Sequence, residues 1–336
     1  MVSRTDQRGS NKRRPMLAGS AVIELRKVDF SDSTYRITTR TAVADLIESI
    51  ERFGVLVPPL VKPVGDRFKI ISGFLRLEAC RQLGVETTGV RLVAADCPDL
   101  VCAHCAIAEN GLQRRLNPLE TARAVALLAT TVPEKKRLPA EAIAAGLTDN
   151  PDMIAKLLQV VKLPEAVQAH LAEGAIGMAM ALALGRETAE FGTKCAGIFG
   201  DLRIGLNRQR EILLLLSEIA TRDDVLPLDI IEHDAIAEIL SDADLDRPLK
   251  VNRIRDWLYH RRYPNLASAE DTFAERRSRL KLGKDIQLKA PRNFESDRYT
   301  ISIQFSSVED IRALLKRIER ISDDSNMKAI LSRSDG

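Results

Sequence analysis

Apolar positions in the first hundred residues change their spacing along the chain, and each spacing predicts an element. Val22, Ile23 and Leu25 read as a strand, after which Val43, Leu46, Ile47, Ile50 and Phe53 recur at the three-and-four spacing of one helix face, with Gly54 as the stop. The proline-bounded run Val55 to Val61 and the run Phe68 to Ile71, separated by the Gly65-Asp66 turn, form a strand pair. Leu77, Cys80 and Leu83, closed by Gly84, form another helix. The pattern predicts a small α/β domain over residues 21–116.

From Asn117 to about Leu240 the chain is rich in Ala and Leu at helical spacing, broken at Pro133, Pro139, Pro151, Pro164 and Pro227. An all-α domain over residues 117–264 follows. Beyond Pro264 the pattern predicts a charged helix from about Ala267 to Leu282, then two strands, Ile286 to Lys289 and Tyr299 to Phe305. In the second strand Tyr299, Ile301, Ile303 and Phe305 share one face and Thr300, Ser302 and Gln304 the other, the period of a half-buried sheet. Ser306 and Glu309 have capping-box spacing, and Val308, Ile311, Leu315 and Ile318 stripe the helix that follows.

This helix, two-strand, helix module over residues 265–325 covers one sheet face only, and two strands alone are marginal. A second copy of the chain is the simplest partner for the open strand edges, so the module is expected to dimerise. Residues 1–20 read as a disordered basic arm and 326–336 as a disordered tail. The expected fold class is α+β and mostly helical, with a small α/β domain, an all-α domain and an α-β-β-α module in that order.

Length and charge narrow the functions. A chain of 336 residues with 45% hydrophobic content supports two or three domains. Lys and Arg number 50 against 47 Asp and Glu, so no overall cationic field marks a nucleic-acid binder and any such signal is local. It is densest at Arg4, Arg8, Lys12, Arg13 and Arg14, which face one acid, Asp6. That arm lacks the apolar segment of a secretion signal, and the longest apolar runs, Ala175 to Leu184 and Ile212 to Leu216, are too short to span a bilayer. A cytoplasmic protein with no membrane partner is expected. Five cysteines, an odd number, suit a reducing compartment. Cys97, Cys102 and Cys105 have the spacing of part of an iron–sulfur site, but Cys195 is remote, and helical periodicity turns Cys102 and Cys105 toward a core.

Two stretches carry candidate chemistry. Ile71-Ser72-Gly73-Phe74-Leu75-Arg76 places glycine and arginine at a strand-to-helix junction, where free N–H groups and the helix dipole favour anions and a guanidinium can fork onto phosphate. Pro139 to Gly146, the turn Leu147-Thr148-Asp149 and Pro151 to Val161 have helix-turn-helix spacing. The second helix begins acidic, at Asp149 and Asp152, and offers Asn150, Lys156, Gln159 and Lys162 as DNA donors. A later basic run, Arg247, Lys250, Arg253, Arg255, His260, Arg261 and Arg262 interleaved with Trp257, Tyr259 and Tyr263, reads either as a phosphate grip led by Arg253, Arg261 and Arg262 or as a solvated helix face over core Ile254, Trp257 and Leu258.

The glycine-arginine junction resembles the ParB family of plasmid and chromosome partition proteins, whose N-terminal domain carries a Gly-Glu-Arg-Arg motif there; Gly73 and Arg76 match its ends. The family's next motifs, Glu-Asn-x-x-Arg and Leu-Asn-Pro-x-Glu, are met by Glu109-Asn110-Gly111-Leu112-Gln113-Arg114 and by Leu116-Asn117-Pro118-Leu119-Glu120. Val55 to Pro63 resembles the segment before the nucleotide motif, and Leu163-Pro164-Glu165 the end of the DNA-reading helix.

The resemblance implies a dimeric clamp on duplex DNA that binds CTP with Mg2+ through Gly73, Arg76 and Asn110, with Glu109 on the metal. It also implies a partner ATPase of the ParA type, with Arg13 or Arg14 as the arginine that meets it. Phe74 and Leu75 depart from the motif, and either Gln113 or Arg114 takes its arginine position, so at most a weak CTPase is expected. The expected function is a DNA-binding partition protein at the nucleoid or a plasmid. The alternatives are a transcriptional regulator on the same scaffold without nucleotide control and, with Glu109 and Glu78 as the only carboxylates on offer, a metal-dependent nuclease.

Overall fold

The computed structural model describes residues 17–332, so Arg13 and Arg14 lie outside it. The chain divides into two compact units, one ending at Asp201 and one beginning at Leu202.

The first unit opens with a five-stranded sheet: β1 (Leu17–Glu24), β2 (Val28–Asp29), β3 (Leu60–Val64), β4 (Arg67–Ser72) and β5 (Thr87–Val93). Strand order is β1-β5-β3-β4-β2. The β1–β5 and β3–β4 pairs are antiparallel, while β3–β5 and β2–β4 are parallel. Helices α1 (Ala44–Phe53) and α2 (Phe74–Gln82) pack on it, and Ile23, Val61, Ile70, Leu77, Cys80 and Val90 make one buried core between them. β1 begins at Leu17, so residues 17–20, read from sequence as part of a disordered arm, are instead paired with β5.

Helix α3 (Asp99–Gln113) leads from the sheet into α4 (Pro118–Thr131), α5 (Leu138–Ala144), α6 (Pro151–Val160), α7 (Glu165–Ala172), α8 (Met178–Leu184) and α9 (Ala189–Asp201). Several prolines expected to break helices begin them instead. Pro139 and Pro151 sit in the first turns of α5 and α6, and Pro164 caps α7, positions where the missing N–H would have had no partner. Asp99 anchors the start of α3 by accepting from Tyr35 at 2.9 Å and Lys62 at 3.0 Å. His104 of α3 meets Glu141 of α5 at 2.9 Å, linking the two helices.

The second unit comprises α10 (Leu206–Asp223), α11 (Pro227–Ile231), α12 (Asp234–Ser241), α13 (Arg247–Arg262) and α14 (Pro264–Arg279), then the hairpin β6 (Ile286–Lys289) and β7 (Thr300–Ile303), α15 (Val308–Asp323) and α16 (Ser325–Leu331). The hairpin sets Ile286 opposite Ile303 and Leu288 opposite Ile301. Ile286 and Leu288 are buried with Leu280, Leu314, Ile321, Met327 and Ile330.

Three sequence expectations shift here. The capping box is Ser307 with Asp310: Ser307 Oγ accepts from the Asp310 N–H at 3.1 Å, and Asp310 Oδ2 accepts from the Ser307 N–H at 3.1 Å. On α15 the buried residues are Leu314 and Ile321 with Ile318 packed beside them, while Val308 and Leu315 of the expected stripe are exposed. The expected disordered tail contains α16, held down by buried Met327 and Ile330.

Candidate functional site

The strand β4 enters α2 through Gly73, whose φ of 91° is left-handed backbone that glycine adopts without steric cost. A Cβ there would lie 2.8 Å from Pro59 Cβ and 3.0 Å from Pro59 Cα. The chain thus packs the Val57–Pro59 loop against the space a side chain would need. The first N–H groups of α2 have no partner within the helix, and the residues that carry them, Phe74, Leu75 and Arg76, line the cleft beside Gly73.

Arg76 stands in the first turn of α2 and bridges two elements. Its Nη1 donates to the Val57 carbonyl at 2.5 Å and its Nη2 to Glu109 Oε1 of α3 at 2.7 Å. Arg91 of β5 reaches the same Oε1 at 3.4 Å. Asn110, next in α3, donates back to the Ala106 carbonyl at 2.8 Å. Gly73, Arg76, Glu109, Asn110 and Gln113 together line a cleft of about 690 Å³, so the structure gathers the sequence-predicted nucleotide residues in one place. Phe74 and Leu75 line it too, placing apolar side chains where the resemblance would set charges.

α3 ends at Gln113, and Arg114 turns into extended backbone, where its guanidinium forks onto Glu120 with both N–O distances at 2.5 Å. Glu120 is fully buried and also accepts from the Thr39 N–H and the Asn117 N–H, each at 3.0 Å. Burial on its own would raise this carboxyl, but the Arg114 fork and the two backbone donors outweigh it and hold Glu120 at about 2. Arg114 thus fastens the Thr38-Thr39 loop to α4, and both Arg114 and Gln113 line the cleft beside Gly73.

The donors around Glu109 do not fit a protein-held metal ion. Oε1 is shared by two guanidinium groups, and among the described residues no three His, Cys, Asp or Glu side chains converge on a point. Glu78, the other carboxylate considered for a nuclease, is tied to Arg81 and Gln82 on its own helix, at 2.9 Å each. Cys97 and Cys102 are core residues.

α5 and α6, the two helices of the expected helix-turn-helix spacing, are joined by a turn with Gly146 at φ 69°. α6 buries Ile154, Leu157 and Val160 and exposes Asp152, Lys156 and Gln159, with Lys162 exposed just beyond its end. Asn150 differs from the other three donors: its side chain caps α6, accepting from the N–H groups of Asp152 at 2.9 Å and Met153 at 3.3 Å.

In the second unit the basic run on α13 is largely neutralised by α10. Arg255 forks onto Glu211 at 2.6 and 3.0 Å, Arg262 meets Glu218 at 2.8 Å, and Arg261 meets Asp223 at 3.3 Å. Arg253 is exposed, while Ile254 and Leu258 are core, so the solvated-face reading describes most of this helix and Arg261 and Arg262 are spent on carboxylates.

Sequence reasoning missed Arg91 and the role of Glu120. The signal for Arg91 was a charge inside the apolar strand run Val90 to Val93, and for Glu120 its N3 position after the Asn117 cap.

Comparison with known proteins bears on the same region. Residues 19–111 match the ParB N-terminal domain. A probable chromosome-partitioning protein ParB of Pseudomonas putida is 33% identical over 144 residues, covering 43% of this chain and 48% of the relative. A probable chromosome 1-partitioning protein ParB of Deinococcus radiodurans is 34% identical over 143 residues, covering 43% and 47%. The matches therefore span about half the length of those relatives. A crystal structure of C-terminally truncated ParB from Caulobacter crescentus complexed with CTP-gamma-S is 25% identical, covering 54% of this chain and 98% of that one, at a TM-score of 0.26. Residues 19–111, the stretch in which Gly73, Arg76, Glu109 and Asn110 meet at one cleft, are thus similar to the ParB N-terminal domain.

Proposed function

We propose that this chain is a DNA-binding partition protein of the ParB type, a dimeric clamp on duplex DNA whose state is set by CTP in the Gly73–Arg76 cleft. The observation that carries the reading is the convergence of Gly73, Arg76, Glu109 and Asn110 on one cleft in the same unit as α5 and α6. The triphosphate would meet the N-terminus of α2 and the Arg76 fork, with no side chain on Gly73 to stand between them. Magnesium would accompany the phosphates, because no group of three His, Cys, Asp or Glu side chains converges among the described residues.

DNA would lie against the exposed face of α6, with Lys156, Gln159 and Lys162 as donors and Asn150 holding the helix start. Dimerisation would use the second unit, where Ile301, Phe305, Val308 and Leu315 are exposed. A ParA-type ATPase is the partner proposed for the arm carrying Arg13 and Arg14, and the cytoplasm, at a nucleoid or plasmid, is the proposed location. Among the described residues no helix is long and apolar enough to cross a membrane.

Calorimetric titration of the full chain with CTP and magnesium tests the reading. Wild type is expected to bind, and Arg76→Ala to lose about ten- to a hundredfold in affinity, as for a charge-assisted contact to phosphate. Phe74 and Leu75 in the cleft favour a second reading, a DNA-binding regulator without nucleotide control. Absence of heat from wild type would select it.

For the DNA face, Lys156→Ala is expected to weaken binding to duplex fragments from the protein's own replicon and to reduce the slope of log affinity against log salt by about 1, the signature of one lost phosphate contact. Fluorescence anisotropy across a salt series measures this, and an unchanged slope would remove Lys156 from the interface.

A further inference from the structure

The charges around Glu109 are uneven. Its Oε1 accepts from both Arg76 and Arg91, whereas its Oε2 is buried with no partner. Nε of Arg91 is likewise buried with no partner. A donor and an acceptor stranded on two touching side chains cost free energy that one rearrangement recovers. A guanidinium presenting its Nε and Nη edge forms a fork with both oxygens of a carboxylate. That fork is unmade here, where Arg76 shares Oε1.

We propose that Arg91 is the standing counter-ion of Glu109, a positioning residue that lets Arg76 leave this carboxylate for the phosphate of a nucleotide in the cleft. The inference rests on the nucleotide reading above. An anion drawing Arg76 away would strand Glu109 as a buried, unpaired charge unless a second cation took over, and breaking such a pair is strongly unfavourable. Arg91 takes over and gains the contact between its Nε and Oε2. It is well placed to do so: its backbone N–H donates to the Pro59 carbonyl at 2.8 Å, on the loop that closes over Gly73. It also stands opposite Leu60 in the sheet, so its main chain stays fixed while the side chain turns. Leu75, apolar in the cleft, leaves this exchange to Arg76.

The test is a double-variant cycle read by calorimetric titration of the full chain with CTP. Arg91→Leu is expected to weaken CTP binding about tenfold or more, and Arg91→Lys to retain most of the affinity. Added to Glu109→Gln, the same Arg91→Leu change is expected to cost nothing, because a neutral amide needs no counter-ion. A merely structural role for Arg91 would lower affinity by the same factor in both backgrounds. That outcome, or unchanged affinity in Arg91→Leu alone, would overturn the inference while leaving the nucleotide reading intact. A wild type that binds no CTP would overturn the reading and the inference together. Arg91→Gln, which keeps a polar stem, replaces Arg91→Leu if that variant does not fold.

Discussion

Glu120→Ala is expected to destabilise the first unit by about 3–5 kcal/mol, the cost of breaking a buried ion pair by removing one partner. The carboxylate is fully buried and closes three connections at once: the Arg114 fork, the Thr39 N–H, and the Asn117 N–H at the start of α4. Without it the Arg114 guanidinium keeps its charge and loses its fork, and the two backbone donors lose their acceptor. Urea unfolding should show a lower midpoint at unchanged slope.

The same residue sets an acid limit. Its pKa is depressed from 4.5 to about 2, so its contribution is fully present above pH 4.5 and is lost as pH falls from there toward 2. A shift of that size corresponds to about 3 kcal/mol. Wild type should therefore lose stability over that window more steeply than Glu120→Ala. Parallel pH profiles for the two proteins would show that the fork carries no net stability.

This node also shows what the sequence made legible. The capping geometry at Asn117 and Glu120 could be read as an Asn with a Glu three residues on, because caps are local and each partner lies within one helix turn. That the same Glu would also take Arg114 and a loop some 80 residues earlier depends on the packing of α3, α4 and residues 38–39, which no local pattern encodes. Gly73 and Arg76 were legible because glycine and arginine at a strand-to-helix junction favour an anion locally and match the ends of the family's motif. Arg91 was not, because its role comes from the register that sets β5 beside β3.

The basic run on α13 shows the converse. Its charges were counted without Glu211, Glu218 and Asp223, which lie 38 to 44 residues upstream and face it only once α10 packs alongside. Local charge excess therefore overstated the free cations there. On α6 the exposed set of Lys156 and Gln159 followed from helical periodicity alone, because three buried residues fix the opposite face.

Gly73→Ala is expected to damage both fold and site. At φ 91° a non-glycine residue carries backbone strain of about 1–3 kcal/mol. The added Cβ also falls 2.8 Å from Pro59 Cβ and 3.1 Å from Arg76 Nη2. Pro59 is poorly able to retreat, since its carbonyl accepts from the Arg91 N–H at 2.8 Å and its neighbour Leu60 is paired into the sheet. Relief must then come from Arg76, which would be pushed off Val57 and Glu109 at the mouth of the cleft. CTP affinity should fall about tenfold or more, in addition to the lower unfolding midpoint. Gly73→Asn separates the two causes, because asparagine tolerates left-handed backbone better than alanine but carries the same Cβ. If the close approach to Pro59 governs the site, Gly73→Asn will recover stability relative to Gly73→Ala while CTP affinity stays low. Recovery of both would assign the glycine to backbone conformation alone and detach it from ligand binding.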